Sequence, residues 1–323
     1  ANRALLDSID YANGTIRLDG KEYKLLDFNF PTIDPDNPYE LSSEEALVVE
    51  RLTSAFTNCE KLQRHMNLLL KKGSLYKVHN NNLLYHGCIP LNEDGSFKAV
   101  DIYGKKYKGK ALYEVLEAYV RKAFVAIDEN EKEKGKDILW FIWSSPGSPL
   151  FGKQKMATFE RYFLAEKETH EEKKNPYYRL LEDETVINRI MREFGLEEGC
   201  AHIVNGHVPV HHAAGESPIK CNGKVLVIDG GFSKAYQKET GIAGYTLIYN
   251  SWGMILAAHE PFTSAEDAIT RETDILSDSI LVKRSMIRKT VEDTDNGRKL
   301  KENIEELKAL LAAYRSGTII EKE

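Results

Sequence analysis

Two histidines stand where short apolar runs end. His86 closes "LLYHGCIP" and His207 closes "AHIVNGHVPV". Leu83, Leu84 and Tyr85 read as a strand end, and Gly87 lets the backbone turn tightly. Ile203 and Val204 lead into Asn205-Gly206 in the same way. Neutral imidazole is a ligand for Mn, Fe and Zn, and ligands on separate strand ends assemble into one site. A polar cap on an ordinary loop is the other reading, and the residues alone leave both open. His211 and His212 follow in "VPVHHAAGESPIK". Neighbours on a strand face opposite sides, so these two are expected to be surface or supporting residues rather than joint ligands. His79, His170 and His259 lie outside any evident site.

A second kind of chemistry is offered by "SPLFGK", residues 148–153. Ser148, the Gly152 backbone and Lys153 are all donors that suit an anion. Lys155 and Arg161 follow, and arginine suits bidentate phosphate binding while lysine acts as a mobile point charge. A capped loop before a solvated helix face is the alternative. There is no GxxxxGK[ST] loop and no GxGxxG. Asp229-Gly230-Gly231 lacks the helix a nucleotide fingerprint needs and is expected to be a tight turn. A self-sufficient two-metal site needs several carboxylates. Asp-x-His, Gly-Asp-x-x-Asp and Gly-Asn-His segments do not occur; Asn205-Gly206-His207 has the reverse order.

These residues need elements to hold them. "TIRLDGKEYKLL" reads as a hairpin turning at Asp19-Gly20. Residues 42–72 read as one helix, capped by Ser42 or Ser43 and stopped at Gly73. Residues 109–134 read as another, and "ILWFIW", 138–143, as a buried strand opening onto the Ser148 loop. Helix is expected over 154–175, ahead of a charged surface stretch, and over 185–195. Short strands follow in "AHIVNGH", "KVLVIDGG", "GYTLIYNS" and "GMILAAHE", forming part of a mixed sheet. The fold class is therefore α/β (α+β). No internal domain boundary is evident across 1–323: a helical insertion is expected at 91–135, a β-rich segment at 200–262 and a closing amphipathic helix at 296–315.

The composition narrows the classes. Charged residues make up 29% and apolar ones 42%, as in soluble globular proteins. No apolar run is long enough to span a bilayer, and no secretory leader is legible. Lys and Arg number 44 against 50 Asp and Glu, a net −6, which argues against a general nucleic-acid binder. An anionic ligand would have to be held by local positive groups or metal ions. Cys59, Cys88, Cys200 and Cys221 are widely spaced, which suits reduced thiols in a cytoplasm.

With those residues in view, the chain resembles the calcineurin-like metallophosphoesterases. "LLYHGCIPLNEDGSF" is similar to their His-Gly-Gly segment, "DILWFIWSSP" to a strand and loop, "IVNGHVPV" to a Gly-His-x-Pro turn, and "KVLVIDGG" to the strand after it. More narrowly, "SPLFGKQKMATFERYF", "GESPIKCNGKVLVIDGGFSKAYQKETGIAGYTLIYNSWG" and "VEDTDNGRKL" resemble the later part of class III fructose-1,6-bisphosphatases, gluconeogenic enzymes of Firmicutes. The resemblance implies the later half of a four-layer α/β/β/α sandwich with helical insertions. It implies hydrolysis of the 1-phosphate of fructose 1,6-bisphosphate with two divalent metals, Mn²⁺ before Mg²⁺ or another ion. It implies His86 and His207 as metal ligands, and Lys153 and Arg161, with Ser148 and Lys155, toward substrate phosphates. The family's first part, carrying the carboxylates, an Asn ligand and the general acid, has no counterpart here. With the Ala1 start, this implies a C-terminal part that is inactive alone, completed by the missing N-terminal part, in a cytoplasmic homo-oligomer. The rival expectation is a non-catalytic module that binds a sugar phosphate or regulates a partner.

Overall fold

In a computed structural model, residues 4–197, 199–231, 233–261, 264–272 and 277–320 are described. The chain forms two compact units, one from Ala1–Ser74 and Leu116–Asn175, the other from Leu75–Val115 and Pro176–Glu323. Both helices and sheets build it, so the expected mixed α/β class holds.

In the first unit, strands β1 (Ile9–Asp10), β2 (Thr15–Leu18) and β3 (Lys21–Lys24) form an antiparallel sheet. The β2–β3 turn uses positive φ at both Asp19 (49°) and Gly20 (80°), the backbone a two-residue hairpin needs. Ile9, Ile16, Leu25 and Leu164 make its buried core. The expected single helix over 42–72 is two: α1 (Ser43–Thr57) and α2 (Glu60–Lys72). Ser42 caps α1 in a reciprocal box with Glu45. The break at Asn58 has a local cause. The Thr57 hydroxyl donates to Thr53 O at 2.9 Å and the Asn58 amide to Ser54 Oγ at 2.8 Å. Such side-chain bonds compete with the next helical turn.

The expected strand "ILWFIW" is also helix. Helix α3 (Gly109–Val125) straddles the unit boundary, and α4 (Glu129–Ser144) follows it. Asp128 caps α4 by accepting from Glu131 N at 2.9 Å, and Lys132 pairs with Glu129 at 2.6 Å. Gly135, Ile138 and Ile142 are the buried residues of α4, while Leu139, Trp140 and Trp143 are exposed. A short apolar run has no period of its own; the capped, ion-paired turns upstream decided this one. A side chain at Gly135 would meet Ala123 of α3. Gly135→Val is expected to destabilise the chain by about 1–3 kcal/mol through overpacking. A urea midpoint equal to that of the parent chain would contradict this close approach. Shorter helix than expected covers 154–175: α5 spans Thr158–Phe163.

The second unit holds the histidines. Its main sheet has five strands in the order β4 (Tyr76–His79), β5 (Asn82–Tyr85), β8 (His202–Asn205), β10 (Val225–Val227), β9 (Ile219–Lys220). Strands β5, β8 and β10 run parallel. A small hairpin of β6 (Val100–Ile102) and β7 (Lys105–Tyr107) stands apart. Alternation sorts the main sheet's faces. Leu83, Ile203 and Val225 join Val186, Ile187, Ile190 and Met191 of α6 (Glu184–Glu193) in the large core. Val204 and Leu226 pack with Met254 instead. Met254 belongs to a second, antiparallel sheet of β11 (Gly244–Asn250), β12 (Gly253–His259) and β13 (Ser277–Arg284). The β-rich stretch therefore feeds two sheets. Helices α7 (Lys234–Thr240) and α8 (Ala265–Arg271) precede α9 (Asp295–Arg315), the closing helix.

Candidate metal centre

His86 is the first residue after β5, and His207 is the second after β8. Leu83 pairs with Ile203 and Leu84 with Val204, so the two parallel strands end on one edge of the sheet. The loops beyond are tied together. Gly206 N donates to His86 O at 2.9 Å, and the Asn205 amide donates to Gly87 O at 3.1 Å. His86 Nε2 and His207 Nδ1 consequently stand 3.0 Å apart. Their ring centroids are 4.8 Å apart with planes at 68°.

The tight backbone is not where the sequence suggested. Gly87 is absent from the positive-φ residues; His207 itself takes φ +72°. A non-glycine residue in that region is uncommon and is held there by its surroundings. Behind His86, buried Tyr85 meets Tyr113 and Tyr177 edge to face, and the Tyr113 hydroxyl donates to Cys88 O at 2.9 Å. Burial pushes the Cys88 thiol up to about 12. All four cysteines are free.

The two imidazoles fit a metal ion. The two ring nitrogens hydrogen-bond to each other, and imidazole nitrogens this close can both serve one metal ion. His86 is exposed and His207 half-buried, which leaves the pair open to further ligands. Asn205 Oδ1 is buried beside them without a hydrogen-bond partner among the described residues. A Cβ at Gly206 would lie 3.6 Å from Asp229 Oδ2, so this carboxylate borders the turn, while Asp229 Oδ1 accepts from Gly231 N. Among the described residues no group of three or more His, Cys, Asp or Glu converges as a metal cage. Asp229-Gly230-Gly231 is irregular backbone held by the Gly231 N bond to Asp229 Oδ1 rather than an assigned turn, and a short helix, α7, does follow it.

The anion candidates belong to the first unit. Lys153 Nζ lies 2.8 Å from Glu172 Oε2, and Arg161 reaches Glu172 Oε1 at 3.3 Å. Burial pushes the Glu172 carboxyl up, but the Lys153 and Ala157 hydrogen bonds and the two cations outweigh it and hold it below the usual range. Lys155 pairs with Glu160 Oε1 at 3.3 Å and donates to Thr169 O at 2.8 Å. Ser148 is buried: its hydroxyl donates to Ile142 O at 2.6 Å and accepts from Leu150 N and Phe151 N. Gly152 takes φ +62°. The structure thus brings the two histidines together, gathers Lys153 and Arg161 on one carboxylate, and gives Ser148 and Lys155 internal partners. Glu160 and Glu172 were not legible as partners, because they sit in the 154–175 stretch that reads as helix, and helical spacing does not report which carboxylates meet these cations.

His211 and His212 lie on a turn rather than a strand, since His212–Ala214 is a 3₁₀ segment, and His211 N donates to Glu216. His79 faces Asp295 at 3.8 Å, His170 Nε2 contacts Leu164 O, and His259 sits between Thr246 and Ser277.

Together these features define a mixed α/β protein with paired histidines at the ends of parallel strands. The chain belongs to the Firmicute fructose-1,6-bisphosphatase family, which it matches over residues 1–316. It is 56% identical over 321 residues to fructose-1,6-bisphosphatase class 3 of Clostridioides difficile, covering 99% of this chain and 49% of that one. The Clostridium acetobutylicum protein of the same name is also 56% identical, over 99% of this chain and 48% of that one. The Listeria monocytogenes protein is 54% identical over 99% and 49%. The chain thus spans about half the length of the curated relatives it matches. No solved structure matches it.

Proposed function

We propose that this chain is the histidine-bearing half of a fructose-1,6-bisphosphatase that hydrolyses fructose 1,6-bisphosphate to fructose 6-phosphate and phosphate. The observation that carries the reading is the 3.0 Å approach of His86 Nε2 to His207 Nδ1 at one sheet edge, in a chain of this family. His86 and His207 hold divalent metal, Mn²⁺ before Mg²⁺; carboxylates and the general acid come from the length that the relatives have beyond the matched stretch. When bound, the ions supply Lewis acidity to the phosphoryl oxygens and to water. The histidines orient the ions, and His207's left-handed backbone fixes the ring that presents Nδ1. In the first unit, Lys153 and Arg161 are the cations offered to a phosphate, with Ser148 and Lys155 holding the loop that carries them.

Exposed apolar side chains support a larger assembly. Helices α1 and α2 bury no residue, and Leu47, Val48, Val49, Leu52 and Phe56 of α1 are all exposed. Contiguous apolar surface of this kind marks an interaction face. The remaining half of the enzyme is its occupant in this reading. The test is a bisphosphatase assay with Mn²⁺. The pure chain is expected to give no turnover, and addition of the other half is expected to restore it. Turnover by the chain alone, or no turnover from a stable complex of both halves, would overturn the proposal.

A further inference from the structure

The opposite ends of the same strands frame a second polar cavity. Asn82 opens β5 and His202 opens β8, and the two are paired in register. They lie four residues or more before His86 and His207, on the order of 13 Å along the strands. A cavity of about 160 Å³ lies there, lined by Asn82, His202, Tyr249, Lys283, Ser285 and Lys289, among others. No carboxylate lines it among the described residues.

Its charge is unbalanced. Lys283 Nζ donates to Cys200 O at 3.4 Å and Lys289 Nζ to Tyr249 Oη at 3.2 Å, one acceptor for each ammonium group with three donors. Neither lysine pairs with a carboxylate within 4 Å among the described residues, although Asp293 feels the Lys289 charge from outside the cavity. Both lysines are fixed in place. Lys283 is paired with Met254 across β12 and β13, and Lys289 N donates to Ser251 O at 2.8 Å. His202 is only 7% exposed, and its ring makes no hydrogen bond among the described residues. Burial, then Lys283 and Lys289, lower its pKa to about 4, so at pH 7 it offers a neutral N–H. The Asn82 amide donates to His79 O and Asn80 O and the Ser285 hydroxyl to Ile287 O, so the donors that face the space are two ammonium groups, a neutral imidazole and the Tyr249 hydroxyl, which together form an oxyanion receptor. The volume is smaller than the roughly 300 Å³ at which drug-sized pockets begin, and suits a phosphoryl group on a small carrier.

We propose that this cavity binds the phosphoryl group of a small phosphorylated molecule. The inference does not rest on the bisphosphatase reading, because the test needs only this chain and no turnover. Inorganic phosphate and glycerol 3-phosphate are titrated separately, and the His202 ring resonances are followed by NMR. Either probe is expected to shift them saturably, and the stronger one tells a free anion from an ester. Lys283→Met/Lys289→Met is expected to weaken that binding at least tenfold, with an unchanged melting temperature as the check on folding. His86→Ala/His207→Ala is expected to leave it within twofold. No saturable His202 shift with either probe, an unchanged affinity in the lysine variant, or loss in the histidine variant would each overturn the proposal. The first of these is read on the parent chain, so it stands whether or not the lysine variant folds.

Discussion

His86→Ala in the reconstituted enzyme is expected to lower both bound metal and kcat/KM by at least about 100-fold. Removing a residue that only supports a ligand already costs 10–100-fold in metal affinity, so loss of a ligand sits at or beyond the top of that range. The geometry singles out this residue. His86 Nε2 and His207 Nδ1 are 3.0 Å apart, and their loops are joined through Gly206 N and the Asn205 amide. The variant should fold normally, because His86 is exposed and adds little to the core beneath it. His207→Ala is predicted to do the same to metal content, with an added cost in stability, since alanine tolerates φ +72° less well than histidine. The decisive measurement is metal per complex by elemental analysis beside kcat/KM with excess Mn²⁺. Full metal occupancy together with full activity in His86→Ala would remove it from the site. Retained metal with lost activity would instead make it a substrate contact.

The histidine pair was legible because two short apolar runs, each ending in a histidine near glycine, encode parallel strands that stop together. Parallel pairing of β5 with β8 converts that pattern into one edge of a sheet. Elements whose pattern spoke for itself were equally readable: the Asp19-Gly20 hairpin, the Ser42 cap and the closing helix. The failures share a physical cause. "ILWFIW" has no period, so the caps and ion pairs upstream of it chose helix. The break at Asn58 came from side-chain hydrogen bonds that hydrophobic spacing does not report. The Lys283–Lys289 cavity was hidden because its residues come from four separate stretches, and His202 read only as the start of a strand.

The last prediction separates structure from chemistry in the Lys155 loop. Glu160→Ala is expected to destabilise this chain by about 3 kcal/mol, the lower end of the cost of breaking a buried ion pair. Glu160 has no exposed side chain, and its Oε1 lies 3.3 Å from Lys155 Nζ, whose side chain is 24% exposed. Lys155 also donates to Thr169 O at 2.8 Å, so without Glu160 its charge keeps a carbonyl but no ion-pair partner among the described residues. Partial exposure lets water take up some of that loss, which is why the lower end applies. Replacing both partners with apolar residues, as in Lys155→Met/Glu160→Leu, is expected to recover most of the stability, because neither charge is then stranded. Urea unfolding of the three chains gives the answer directly. If Glu160→Ala unfolds at the parent midpoint, the pair is not structural. Lys155 would then be available to a phosphate, as Lys153 and Arg161 are proposed to be. If the double variant recovers stability and the reconstituted enzyme keeps its KM, Lys155 serves the fold, and substrate binding in this loop rests on the two cations held by Glu172.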